Sequence, residues 1–506
     1  MRQAALKSKS FPPPVGGWDT RNALADMPDE NAIILDNFFP ETDKVRVRPG
    51  YASYATGLGA SVQTLMRFVD VDGTEELYGI AGGSIYDATA TGAVGAAVVS
   101  GLSNSLYQYT QIETSAGHFL FACNGADTPS TYNGSSWDVA AITGPTQANL
   151  IWCNLHQRRL WVGEEDSLKA WYLAVDSISG AASSFSLGAI AKKGGYIMAM
   201  GTWTRDSGNG PDDVAVFFTS EGEAILYSGT DPSSASTWQL IGVFQIGKPV
   251  GRRCMIKGGA DLILITEDGF VAASQILSLD RSQTLRVAIS DQINSAVTSA
   301  VATYGSFTGW QPIIIPKELH LIFNVPVSGT AAHQYVFNTI TGKPARYTGI
   351  PALCWEILND DGYFGASNGT VYKFADTAVS DDGADIDADA LQAFSWFGDP
   401  AHEKSFKRVQ PVMQSGQDPK IAIDLNMDFQ IENPIGQVKV ASTGAASWGV
   451  GKWGIGTWGS ATKIWKEWHG VRGHGRAAAI RVRSSTSAAR ASWMATSWLY
   501  TPGGFY

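Results

Sequence analysis

Few positions in this 506-residue chain have the residue types and spacing of a working site. The run Gly242-Val-Phe-Gln-Ile-Gly247-Lys248 has the spacing of a phosphate loop, in which backbone N–H groups cradle phosphates and a lysine reaches them. Pro249 stands where that loop needs a serine or threonine to hold magnesium, and proline has no N–H to offer, so nucleotide binding is not expected. Gly454-Ile-Gly456-Thr-Trp-Gly459 matches a dinucleotide fingerprint by letter, but it sits in a Trp-Gly repeat without a strand–helix–strand setting. Asp385, Asp387 and Asp389 alternate as in a calcium loop. Ala390 replaces the turn glycine and Trp396 occupies the position of the bidentate glutamate, so a solvated linker is expected instead. His469 and His474 flank Arg472-Gly473 without a metalloprotease carboxylate and read as turn histidines. The chain has no Gly-x-Ser-x-Gly elbow, no zinc-type cysteine pairs and no repeated sialidase box. No catalytic, cofactor-binding or metal-binding residue is therefore expected.

Cys123, Cys153, Cys254 and Cys354 are far apart, and each has apolar or small neighbours. They read as buried free thiols of a protein made in a reducing compartment. Formal net charge is −10, a poor match to general phosphate binding, which needs Lys and Arg. No basic region followed by an apolar run opens the chain, so no signal peptide is expected, and no run approaches membrane-spanning length.

From Lys463 to Arg490 the chain is locally basic, with Lys463, Lys466, Arg472, Arg476, Arg481, Arg483 and Arg490 against Glu467, and with Trp465 and Trp468 interleaved. Three readings stand side by side: a solvated strand face, since Arg481 and Arg483 alternate around Val482; a subunit interface, since Trp and Arg are anchor types; and a nucleic-acid contact.

The elements that would position these residues are strands. The chain has 55 Gly, 17 Trp, 17 Tyr and 21 Phe with 17% charged residues, the profile of a turn-rich β protein. Seven hairpins recur at intervals of roughly 40–60 residues, the blade period of a β-propeller. They are Leu77–Ala81 returning at Ile85, His118–Ala122 returning at Thr131, Arg159–Val162 returning at Ala170, and Val214–Phe218 returning at Ala224. Leu262–Ile265 returning at Val271, His320–Phe323 returning at Gln334, and Gly362–Gly365 returning at Val371 complete the set. Asp268-Gly269 and Asn368-Gly369 are turn signals that need positive φ. The expectation is an all-β fold: a propeller platform of six to eight blades, an additional C-terminal β domain and one short amphipathic helix. A pair of two-sheet sandwiches is the alternative.

The helix is expected from Ser282 to Tyr304, where Leu285, Ile289, Ile293, Val297 and Val301 recur at four-residue steps. The acidic stretch from Ser380 to Ala390 is expected as a linker. The expected organisation is an N-terminal arm and hairpin over 1–60, the propeller over 61–380, and a Trp-rich β domain over 391–506. Beyond the linker, Lys420–Asp428 alternates as a strand, and Trp448, Trp453, Trp458, Trp465, Trp468, Trp493 and Trp498 crowd the C-terminal part.

At the N-terminus, Phe11-Pro12-Pro13-Pro14 is a stiff extended arm ended by Gly16-Gly17. Met27-Pro28-Asp29-Glu30 suits one helical turn, with Pro near its start and acids at its positive end. Ile33 to Phe38 suits a strand, Pro40 to Asp43 a turn, and Val45 and Val47 a returning strand. By pattern this is an ordinary hairpin closing a sheet. By its words, Gly17-Trp18-Asp19-Thr20-Arg21-Asn22, Met27-Pro28, Leu35-Asp36-Asn37-Phe38-Phe39-Pro40 and Arg48-Pro49-Gly50-Tyr51, it resembles the opening of the tail nozzle proteins of short-tailed bacteriophages. Ile289-Ser290-Asp291-Gln292-Ile293 resembles a helix of that family between two blades, and Phe406–Val412 and Trp468–Tyr506 resemble its C-terminal region.

That resemblance implies a structural virion protein, made in the host cytoplasm and placed in the viral tail. It implies a hexameric ring below the portal and head-to-tail adaptor, in contact with other tail proteins. The ring would retain packaged double-stranded DNA and conduct it at ejection, without catalysis. The assembly candidates are Trp18, Arg21, Phe38, Phe39, Arg48, Tyr51, Trp465, Trp468 and Arg472. The competing readings are a glycan-binding or glycan-cleaving propeller of tailspike type and a cellular propeller scaffold.

Overall fold

Alternating apolar residues broken by glycine turns fold as antiparallel hairpins, and this chain repeats that unit around an axis. The computed structural model describes residues 6–206, 211–276, 288–417, 419–432 and 463–503. Each hairpin read from the sequence is the second and third strand of a blade, and a further strand precedes each one on the inside. Blade 1 is Val62–Val69, Glu75–Ala81 and Ser84–Asp87. Blade 2 is Gln108–Thr114, Gly117–Cys123, Ser130–Tyr132 and Trp137–Val139. Blade 3 is Leu150–His156, Arg159–Glu164, Lys169–Tyr172 and Ser183–Ser186. Blade 4 is Ile197–Asp206, Pro211–Thr219, Glu223–Gly229 and Trp238–Gln245. Blade 5 is Met255–Gly258, Asp261–Thr266 and Gly269–Ala272. Blade 6 is Gln311–Ile315, His320–Pro326, Ala332–Asn338 and Pro344–Tyr347. Blade 7 is Cys354–Leu358, Asp361–Gly365 and Val371–Ala375.

Six of these blades are sheets of their own, while blade 6 is one end of a nine-stranded sheet. The last blade is completed from the other end of the chain. Gly50–Thr56 pairs antiparallel with Val371–Ala375, Tyr51 opposite Phe374, and so fastens the ring of blades shut.

The second domain is a β-sandwich built from both ends of the sequence. Its nine-stranded sheet runs on from Pro344–Tyr347 through Asn31–Asp36, Ile386–Gln392, Ala478–Thr486 and Ile421–Met427, with Gly17–Trp18 alongside Asn31 and Ala32. Its seven-stranded sheet centres on Lys404–Ser415 and Ser492–Pro502. Lys7–Phe11, Phe38–Pro40 and Val45–Val47 lie on one side of it, and Lys463–Lys466 and His469–Gly475 on the other. Phe406, Val409, Trp493 and Trp498 from one sheet and Ile421, Ile423 and Val482 from the other share one buried cluster with blades 6 and 7. The two domains therefore share a core. The strands of residues 1–60 belong to this sandwich and to blade 7 rather than to a unit of their own.

Three expectations are corrected by local physics. The helix runs over Asn294–Tyr304, preceded by a 3-10 turn at Asp291–Ile293, and residues 277–287, with Leu285, lie outside the described residues. It does not extend back through Ile289, because the Ile289 N–H donates to the Phe270 carbonyl and the Phe270 N–H donates to Ser290 Oγ. The second half of the acidic linker is the strand Ile386–Gln392. Ile386, Ala388 and Ala390 point into the core, and the alternating aspartates are its outer face, with Asp389 paired to Arg481. Finally, Met27–Glu30 is not helical: the Asn31 N–H closes a turn on the Pro28 carbonyl at 2.9 Å, and the chain enters a strand at once. The Trp448, Trp453 and Trp458 repeat and Gly454–Gly459 lie outside the described residues.

Candidate functional site

The N-terminal run folds into the joint between propeller and sandwich. Gly17 adopts φ +83°, and a Cβ there would lie 2.7 Å from the Pro344 carbonyl oxygen, so a side chain is excluded twice over. Trp18 is buried, edge-on to Tyr335 at 5.4 Å, with the Arg346 guanidinium 5.3 Å from its ring. Asp19 accepts from the Arg21 and Asn22 N–H groups and from the Asn22 and Asn31 side-chain amides, which fixes the turn that follows. Arg21 pairs with Asp291.

Asn37 is where the chain crosses from one sheet of the sandwich to the other. It has φ 57°, a left-handed conformation that asparagine tolerates. As a result Asn31–Asp36 pairs with Ile386–Gln392, and the tight hairpin forms later, between Phe38–Pro40 and Val45–Val47. Phe38 and Phe39 are buried, and Phe39 stacks on His320 with ring centroids 4.1 Å apart.

Arg48 has no exposed surface. Its Nε donates to Asn37 Oδ1, Nη1 to the Pro49 carbonyl and Asp381, and Nη2 to the Thr348 carbonyl and Asp381. A buried guanidinium is tolerated only when it is paired and fully bonded. Burial pushes the Asp381 carboxyl upward from its ordinary value, and the Arg48 bonds pull it back. Tyr51 lies beside this pair, half-buried, its hydroxyl pushed up to about 12 by burial and then by Asp381.

The segment Ile289–Ile293 lands on the same joint. Gln292 Nε2 donates to the Gly16 and Trp18 carbonyls at 2.7 and 3.1 Å, and the Thr20 N–H donates to the Gln292 carbonyl. Ser295 Oγ donates to the Thr20 carbonyl. Two segments about 270 residues apart in sequence are thus read together in space.

The propeller axis holds a cavity of about 390 Å³ lined by all seven inner strands. Arg253 crosses it from blade 5 and donates to the Gln63 and Tyr107 carbonyls and to Thr64 Oγ1, tying blade 5 to blades 1 and 2. Glu356 accepts from the Tyr109 hydroxyl at 2.5 Å and from the Ile357 N–H, and burial raises its carboxyl above the ordinary range. This is a braced core, with its carboxylate already bonded.

The positions singled out from the sequence divide into two sets. Trp18, Phe38, Phe39 and Arg48 are buried inside the chain and offer no contact surface. Arg21, Trp468 and Arg472 are exposed, and Trp465 is half-buried with its indole N–H on the Ser415 carbonyl. Asn37 and Gln292 stand within the quoted motifs without being singled out as site residues, and nothing in the sequence marks Asp381 or Arg253; Asn37, before an aromatic pair, has a visible turn signal.

The chemical motifs resolve into structure. Gly242 lies within the strand Trp238–Gln245, and Lys248 pairs with Glu221. His474 bonds Glu403 at 2.7 Å. Cys123, Cys254 and Cys354 are buried free thiols and Cys153 is half-buried. Among the described residues no group of three or more His, Cys, Asp or Glu could hold a metal ion, and no helix is long and apolar enough to cross a membrane.

No family model matches this chain, and no curated protein matches it. Among solved structures it is similar to BBS1N in complex with ARL6DN, at 11% identity and TM-score 0.41, over 65% of this chain and 99% of that one. It is also similar to the computationally designed Ika8 protein, at 12% identity and TM-score 0.37, over 64% and 99%. YCF48 bound to D1 peptide matches at 9% identity and TM-score 0.36, over 69% and 99%.

Proposed function

We propose that this chain is a tail nozzle subunit of a short-tailed bacteriophage. It assembles as a hexameric ring below the portal and adaptor, retains packaged DNA, and conducts it at ejection. The observation that supports this reading is the meeting of the segments that resemble the family. Gln292 bonds Ile289–Ile293 to Gly16–Asn22, and Arg48 bonds Arg48–Tyr51 to Asn37 of the Leu35–Pro40 run, so each of these segments is tied to another of them.

In this reading the protein is structural. Its axial cavity of about 390 Å³, crossed by Arg253, has room for small molecules and not for a duplex, so the DNA path belongs to the ring and not to one propeller. The acidic balance of the chain favours sliding of the phosphate backbone over adhesion. Cryo-electron microscopy of assembled particles tests the reading. Density for this chain as a sixfold ring under the adaptor is expected; density as a fibre or spike at the tail periphery moves the protein to the tailspike class.

A further inference from the structure

Charge is divided unevenly along this chain. Residues 401–506 hold 13 Lys and Arg against 6 Asp and Glu, whereas the whole chain holds 37 against 47. Part of the basic excess gathers on one border of the seven-stranded sheet. Lys463–Lys466 and His469–Gly475 lie end to end along the long strand Lys404–Ser415 and pair with it alone. Among the described residues no strand lies beyond them. Lys466 and Arg472 are exposed there with Glu467 between them, and a bulge between Phe406 and Arg408 brings exposed Lys407 and Arg408 beside them, so the border stays net basic. Ile464 and Trp468, 59% and 39% exposed, add apolar surface to the same border.

A border strand offers its free backbone groups to any passing chain, and charge of one sign keeps two such borders apart. The same charge draws in an acidic surface, and the rest of this chain supplies one. Its densest exposed acidic run is the turn at 381–387, where Asp382, Asp385 and Asp387 face solvent. Among the described residues neither Asp385 nor Asp387 is in an ion pair. Trp and Arg within the basic border are the residue types that anchor interfaces.

We propose that the 463–474 border is a docking surface for a second copy of this chain and receives that copy's 381–387 turn. The contact joins unlike surfaces, so each copy keeps one of each free for the next, and a suitable rotation closes the series into a ring. The closure rests on the nozzle reading; the docking surface rests on charge and exposure.

The test uses the full chain in sedimentation velocity at about 0.05 and 0.5 M salt, since screening separates charge-driven contacts from apolar ones. Self-association at low salt that weakens at high salt is expected. Lys466→Glu with Arg472→Glu, all exposed positions, is expected to weaken it about tenfold or more without changing the melting temperature. Asp385→Lys with Asp387→Lys is expected to do the same, and mixing the two reversed variants is expected to restore association. A wild-type chain that stays monomeric at both salts overturns the proposal, as does a reversed variant that associates like wild type. So does loss of binding to a duplex of about 30 base pairs with self-association unchanged, which assigns the border to DNA. The two readings fail separately. Association through this border in a protein whose absence leaves particles full removes the nozzle role and keeps the surface. Leaking particles combined with normal incorporation of the reversed variant removes the surface and keeps the nozzle role.

Discussion

Arg48 and Asp381, 333 residues apart in sequence, are joined by two hydrogen bonds of 2.8 and 2.6 Å at a point where the arginine has no exposed surface. The pair pins the end of the N-terminal run to the exit of blade 7, next to the strand that closes the propeller. Breaking one side leaves a buried charge without its partner, so Arg48→Ala is expected to cost roughly 3–5 kcal/mol. Arg48→Lys is expected to recover little of this, because an ammonium cannot reproduce the planar fork. Urea unfolding with equal m-values reads both; a variant within error of wild type shows that the joint carries little of the stability.

Trp18→Ala removes a buried indole from between Tyr335 and Arg346 and is expected to destabilise by roughly 3–5 kcal/mol. The check is the shift in thermal midpoint together with incorporation into particles. No shift in either contradicts the packing described.

Stability is expected to fall with acidification. His320 is buried against Phe39, and burial lowers it from 6.5 to about 3. Buried His156 is lowered to about 4, again chiefly by burial. Between those values and 6.5 the unfolded chain binds more protons than the folded one. Stability is therefore complete above about 6.5 and is lost below it at roughly 1.4 kcal/mol per pH unit for each histidine. His320→Gln is expected to show a shallower fall of melting temperature from neutral pH to about 5. An unchanged slope shows that His320 does not titrate on unfolding.

Glu356 is the carboxylate that faces the axial cavity, and it is already held by Tyr109. Glu356→Gln is expected to leave no catalytic phenotype on any glycan. Turnover of a glycan that this change abolishes would transfer the protein to the tailspike class.

Much of the propeller was legible in the sequence for a physical reason. The second and third strands of each blade are joined by short turns, and Asp268-Gly269 and Asn368-Gly369 announce such turns directly. The inner strands were not read, because Gln108–Thr114 mixes polar residues that face the axis with buried Ile112 and shows no clean alternation. The closing strand Gly50–Thr56 pairs over 300 positions away, and local pattern carries no record of such a partner. The acidic stretch misled for the opposite reason: the charges of Asp385, Asp387 and Asp389 masked the alternating apolar residues Ile386, Ala388 and Ala390, which face the core. The exposed candidates Trp468 and Arg472 followed from composition, whereas the Arg48 network needed Asp381, which no spacing rule connects to it.

The central claim is retention and passage of DNA by a ring of this protein, and particles assembled without it test that claim most directly. Heads are expected to package DNA and then lose it, measured as nuclease-sensitive DNA and empty capsids, with full heads restored by the wild-type chain. Particles that lack the protein yet keep their DNA and infect normally would contradict the account.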